Sequence, residues 1–270
     1  MHSRMGGPPQ PFLPRPTPGV IALLVTLTAC YALELVLLRV GFGDAVAALT
    51  LVPFETVVGL RVWQPLTSLV LHSRSSVGHL LNNALLLYLF GTTLEGMRGR
   101  RWLWTRFLWC GLAGSLASVA AGGLLHLVAP GSSLDVLWTR PVLGASGGVL
   151  GLLVAWIALH WGRRINLFLL GAMQAQTFGM IILGIEFLMA LSYDGTASAS
   201  HFGGMAMGFL VGRGMFPPSG WRKRRAQRQH QRTQERLRRN FEVIEGGRTG
   251  GEDDDTAGPP IWGGRPPTVH

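Results

Sequence analysis

Four polar side chains are set into apolar, glycine-rich surroundings: Ser146, His201, His79 and Asn83. Ser146 lies in Gly144-Ala-Ser-Gly-Gly148, at the head of an apolar run that reaches Trp156. His201 stands near the start of Ala199-Ser-His-Phe-Gly-Gly-Met-Ala-Met-Gly208, and His79 and Asn83 sit one helical turn apart in Gly78-His-Leu-Leu-Asn-Asn-Ala84. A serine hydroxyl beside a neutral imidazole is a nucleophile with its general base, the minimum for acyl transfer. His79 and Asn83, together with the free amides of a helix that begins near Gly144, would supply an oxyanion hole. The acidic residue nearest to His201 in sequence is Asp194, in a turn, so the expectation is a Ser146/His201 dyad without a third member.

These groups need a scaffold, and the composition names its solvent. Hydrophobic residues make up 48% of the chain and charged ones 14%, with a mean hydropathy of +0.30, the balance of a membrane protein. Ionisable residues inside membrane segments mark functional sites by default. The formal net charge of +10 is concentrated between Arg222 and Arg239, where nine cations face the single anion Glu235. That run reads as a juxtamembrane cluster facing anionic lipid rather than as a nucleic-acid site. Cys30 and Cys110 lie in apolar runs and imply no disulfide framework.

Taken in order, residues 1–18 are rich in Pro and Gly and read as a disordered cytoplasmic lead-in. Apolar runs long enough to cross a core about 30 Å thick then predict six spans within 19–216. They are residues 20–38, 79–94, a stretch within 102–128, 143–159, about 177–191 within 166–191, and 200–216. Residues 39–78 form a long structured outer loop, and 217–270 a disordered tail, first basic and then acidic at Glu252-Asp-Asp-Asp255. Arg98, Arg100, Arg101, Arg163, Arg164 and the basic tail fall on one face only if the count is even, which puts both termini in the cytoplasm of a multi-pass cell-membrane protein.

Helical rise places the four polar groups in one layer: Ser146, Asn83, His79 and His201 come out roughly 22 to 28 Å above the cytoplasmic face. Gly204, Gly208 and Gly212 recur every four residues, and Gly144, Gly147, Gly148 and Gly151 crowd the opposing segment. Small residues at that spacing let membrane helices touch backbone to backbone, which would bring Ser146 and His201 into reach. Gly144-x-Ser146-x-Gly148 also matches the nucleophile elbow of soluble hydrolases, but that motif needs a strand before the turn and an all-apolar helix does not supply one.

With Gly144-Ala-Ser146-Gly147, His201-Phe-Gly-Gly204-x-x-x-Gly208 and His79-x-x-x-Asn83 in this order, the chain resembles the rhomboid family of intramembrane serine proteases over residues 20–216. Trp63-Gln-Pro-Leu-Thr-Ser-Leu-Val-Leu-His72 is similar to the rhomboid loop after the first span, and Glu95 and Arg98 to the Glu and Arg after the second. The resemblance implies an all-α membrane protein with a six-transmembrane-helix bundle. It implies Ser146 as nucleophile, His201 as base, and His79, Asn83 and the Ser146 amide as oxyanion stabilisers, with no metal and no cofactor. Substrates would be single-span membrane proteins cut in or beside the transmembrane segment. Two positions depart from the pattern: Leu150 stands where rhomboids often carry an aromatic residue against the histidine, so aliphatic contact alone would hold His201, and Gln64 stands where many bacterial members have Arg. These departures motivate the alternative of a catalytically inactive relative that binds membrane clients.

Three further residues carry expectations. Glu186 reads as a lone carboxyl at membrane depth, protonated or bonded within its own helix, rather than as part of a proton relay. His72 reads as a partly exposed interfacial histidine, and His126 as interfacial at the outer end of the third span.

Overall fold

The computed structural model describes residues 14–72, 77–167, 171–192 and 198–215, all within the unit Met1–Arg222. The lead-in up to residue 13, residues 193–197 with Asp194, Phe216 and the tail 217–270 lie outside the described residues. Among the described residues three helices are long and apolar enough to cross a membrane: α1 (Pro18–Arg39), α2 (Val77–Arg98) and α3 (Arg100–Val128). Two shorter apolar helices follow, α4 (Ser146–Leu159) and α5 (Ala175–Ser192), and then α6 (Ser198–Gly212).

Proline at the first position of α1 suits a helix start, where its missing N–H would have been unpaired anyway. The next amides are capped from another helix: the Glu95 carboxylate in α2 accepts from Gly19 N and Val20 N, both at 2.9 Å, and from the Thr17 hydroxyl. Negative charge at a helix N-terminus is favourable, and here it fastens the end of α1 to the end of α2. Val20, Leu23, Leu27, Tyr31 and Glu34 form the one buried stripe of α1, while Val25, Leu33 and Val36 on its other sides stay exposed. An exposed surface this apolar belongs in lipid.

Gly99, at φ +86°, makes the turn between α2 and α3. The loop after α1 carries the short helices Gly43–Leu49, Pro53–Val57 and Gln64–Thr67 and a 3-10 turn at Ser68–Val70. Gln64 is wholly buried beneath them; its side-chain oxygen accepts from Val52 N (3.1 Å) and Thr56 Oγ1 (2.9 Å), and its nitrogen donates to Ala48 O (3.4 Å). The uncharged amide at this departure from the rhomboid pattern thus matches a site built of backbone groups and a hydroxyl.

The described residues are mostly helical, with one small sheet beside the helices. Arg164–Leu167 (β1) pairs antiparallel with Gly171–Gln174 (β2) ahead of α5, in keeping with a fifth apolar run that begins only at about residue 177. Gly171 takes φ +72°, and the polar residues that interrupt the apolar run close the base: Gly162 N donates to Gln176 Oε1 (2.8 Å), and Gln176 Nε2 donates to Gln174 Oε1 (2.6 Å).

Packing centres on α4, most of which is buried. Phe107 of α3, Leu87 and Phe90 of α2 and Met205 of α6 join Leu152, Leu153 and Trp156 in one core. Between α4 and α6 there is no side-chain layer. A Cβ on Gly208 would stand 2.0 Å from Gly151 O, and one on Gly212 would stand 2.6 Å from Ala155 O. On its other side α6 meets α3, where a Cβ on Gly203 would come within 2.8 Å of Ala113 O.

Candidate active site

Ser146 is the first residue of α4, and Gly144 before it adopts φ +127°, a conformation that side chains other than glycine's rarely reach. Gly144 N donates to Ser68 O (3.0 Å), and Leu51 and Val142 form a bridge through Leu51 N to Val142 O (3.2 Å) and Val142 N to Leu51 O (2.7 Å). The loop after α1 therefore clasps the segment that delivers Ser146. First-turn amides of a helix lack intrahelical acceptors and carry the positive end of its dipole, so the serine stands at an anion-favouring position.

His201, in the first turn of α6, brings Nε2 to 2.8 Å from Ser146 Oγ. Both side chains are part-buried. His201 Nδ1 lies 2.6 Å from Glu186 Oε2 of α5. This overturns two expectations. The carboxyl is neither alone nor bonded within its own helix, and His201 is held by a polar contact rather than by aliphatic packing alone. Leu150, the residue from which aliphatic support was expected, is buried in the core.

His79 lies along the same edge: its Cε1 and Nε2 would be 2.8 and 3.2 Å from a Cβ on Gly144, and Ser146 Oγ would be 3.7 Å from it. Asn83, one turn later in α2, is 2% exposed, and its side-chain nitrogen finds no acceptor among the described residues. A buried amide donor left without a partner is costly and needs a reason. The sequence thus named four polar groups, and the geometry joins Ser146 to His201, lays His79 against the serine segment and buries Asn83 with a donor unspent.

His72 is not interfacial. It is fully buried, with its ring edge-on to Tyr31 (6.1 Å between centroids) and to His79 (5.6 Å). Its backbone amide donates to the Glu34 carboxylate of α1 (3.0 Å), which draws the end of the loop down into the bundle. Burial, with His79 beside it, lowers its pKa to about 4 against a weaker opposing pull from the Val70 carbonyl. His126 is exposed at the end of α3, 2.8 Å from Asp135 Oδ1 and stacked on Trp138. The Gly131 amide and then His126 hold the Asp135 carboxyl below the usual carboxylate range. Among the described residues no group of three or more His, Cys, Asp or Glu is arranged to hold a metal ion.

Comparison with known proteins agrees with this architecture. The family model of the rhomboid domain matches residues 59–218, more than half of the chain. The chain belongs to the rhomboid family. A relative, the mitochondrial RHOMBOID-like protein 12 of Arabidopsis thaliana, is 27% identical over 143 residues, which cover 52% of this chain and 43% of that protein. The rhomboid match takes in Ser146, His201, His79, Asn83 and also Glu186. Sequence reasoning noted Glu186 as a carboxyl at membrane depth but missed its partner, because α5 and α6 meet only in three dimensions.

Proposed function

We propose that this rhomboid is an intramembrane serine endopeptidase that cuts membrane proteins in or beside a transmembrane segment, with Ser146 as nucleophile and His201 as general base. The 2.8 Å contact from His201 Nε2 to Ser146 Oγ carries the reading. In the first half-reaction Oγ adds to the substrate carbonyl carbon while its proton passes to Nε2. The C–N bond then breaks, and the same proton leaves with the departing amine. Water repeats the sequence on the acyl-enzyme and releases the acid. The Ser146 amide, the Asn83 side chain and His79 would donate to the oxyanion. Each such donor is worth about 3 kcal/mol in comparable sites.

The proposed setting is a six-span bundle in the cell membrane with both termini cytoplasmic. With 14 residues, α4 is about 21 Å long, short of a core about 30 Å thick. If its basic C-terminal side, with Arg163 and Arg164, rests at the cytoplasmic face, its N-terminus stops roughly 9 Å below the outer surface. Ser146 would then stand in a depression that water enters from outside. Single-span membrane proteins are the proposed substrates, and the basic tail is assigned to anionic lipid.

The deciding experiment is cleavage of a helical membrane reporter by Ser146→Ala and His201→Ala variants that keep the wild-type thermal midpoint. Both should be inactive; cleavage by either overturns the reading. A catalytically inactive relative that holds membrane clients is the alternative, and it requires that fluorophosphonate or isocoumarin probes leave Ser146 of the wild type unlabelled.

A further inference from the structure

We propose that Glu186 is a positioning residue that extends the Ser146/His201 pair into a three-membered relay reaching across three helices, an inference that rests on the protease reading above. Its surroundings single it out. Met180, Ile181, Leu183, Ile185, Phe187 and Leu188 of α5 are all exposed and apolar, so this helix turns most of its surface to lipid. Ala175 and Phe178 are buried at one end of α5, and Glu186, 8% exposed, is buried toward the other. A carboxyl buried on such a helix is expensive unless something pairs with it. Its partner, 2.6 Å away, is the one imidazole that also touches the serine.

Proton bookkeeping assigns the role. Nε2 accepts the Ser146 proton only if its lone pair is free, so the neutral ring must carry its hydrogen on Nδ1. Nδ1–H then needs an acceptor, and Glu186 Oε2 lies where one is required. When Nε2 takes the proton, the ring becomes a cation at membrane depth, and the carboxylate across Nδ1 stabilises it strongly in a medium of low dielectric. Among the described residues, the titratable neighbours of His201 are then Glu186 on one side and His79, within electrostatic range, on the other. Glu186 does for this ring what stacking on an aromatic neighbour would do where Leu150 now stands, and it also fixes the tautomer, which stacking cannot do.

The test uses the full chain in liposomes with a helical reporter substrate. Glu186→Gln keeps the shape and removes the charge. It should lower kcat by about 10²- to 10⁴-fold, the range for losing acid–base function or its orienting carboxylate, with KM and thermal midpoint unchanged. Glu186→Asp should keep more activity than Glu186→Gln. A Glu186→Gln variant within about threefold of wild-type kcat overturns the proposal, because a purely packing role tolerates that exchange. Nitrogen-15 NMR of the histidine rings, with His201 assigned by its loss in His201→Asn, separates this idea from the protease reading. Wild type should show the Nδ1–H form and Glu186→Gln a shifted tautomer balance; the same balance in both overturns the inference. A wild type that neither cleaves nor labels, yet shows that shift, overturns proteolysis and leaves Glu186 as the group that orients the ring.

Discussion

Gly204 approaches Gly147 so closely that a Cβ on it would stand 2.1 Å from the Gly147 carbonyl oxygen. Ser146 directly precedes one member of this pair, and His201 lies three residues before the other. This close backbone contact of α4 with α6 is therefore also what sets the height of the imidazole against the hydroxyl. With Gly208 on Gly151 and Gly212 on Ala155, the two helices have one register available.

Gly204→Ala should accordingly damage both stability and the site. Helix propensity alone would favour alanine by about 1 kcal/mol, but the methyl meets a carbonyl that cannot retreat, and overpacking of this kind costs about 1–3 kcal/mol. The expected result is a lower thermal midpoint in detergent together with slower labelling of Ser146 by a fluorophosphonate. Gly184→Ala serves as the control, since nothing lies within 4 Å of a Cβ there, and it should hold or raise the midpoint. Equal behaviour of the two variants would contradict the register argument.

Gln64 is the anchor of the loop after α1. Gln64→Leu leaves Val52 N without its acceptor and removes one of the contacts of Thr56, a loss worth about 1–3 kcal/mol for buried groups. Because Ser68 O accepts from Gly144 N, slackening of this loop travels to the residue two before the serine. Faster proteolysis of the loop and a several-fold drop in the rate of Ser146 labelling are expected. A variant with wild-type loop protection would show that the amide is a bystander.

What was legible in the chain, and what was not, follows the range of the forces involved. Glycines at intervals of four state a helix–helix contact directly, because only backbone proximity makes a side chain unwelcome three times over. Ser146 and His201 could be read together since each adjoins that contact. The link from Glu186 to His201 had no such signature: it joins two helices across residues 193–197, and a carboxyl in an apolar run looks the same whether or not it has a partner. His72 was misread because neighbouring polar residues suggested an interface, whereas its amide is drawn inward by Glu34, 38 positions earlier. The paired strands Arg164–Leu167 and Gly171–Gln174 have four residues each, too short for alternation to show.

Acid should weaken this fold partly through His72. The ring titrates near 6.5 when unfolded and near 4 when buried. Between those values the unfolded chain binds a proton that the folded chain refuses, so stability falls as pH drops through that window and levels off below it. The burial bounds the effect at about 3 kcal/mol. His72→Phe keeps an aromatic ring beside Tyr31 and removes the titration, so its thermal midpoint should decline less between pH 7 and pH 4.5 than that of wild type. Parallel curves would remove His72 from the account.

Gly144 offers the sharpest test of where His79 acts. A methyl group there meets the His79 ring at 2.8 Å on a backbone of φ +127°. Two costs are then superimposed, local strain and displacement of the ring, and a double-mutant cycle separates them. If His79 stabilises the oxyanion, His79→Ala alone should lower kcat by about 10²- to 10³-fold. Gly144→Ala should approach that loss, and the double variant should be little worse than His79→Ala, because the collision disappears with the ring. Asn83→Ala should lower kcat by a similar factor and add to the effect of His79→Ala if the two donors act on the oxyanion separately. Full additivity of Gly144→Ala with His79→Ala would instead locate the whole cost in the backbone and leave His79 outside the oxyanion hole.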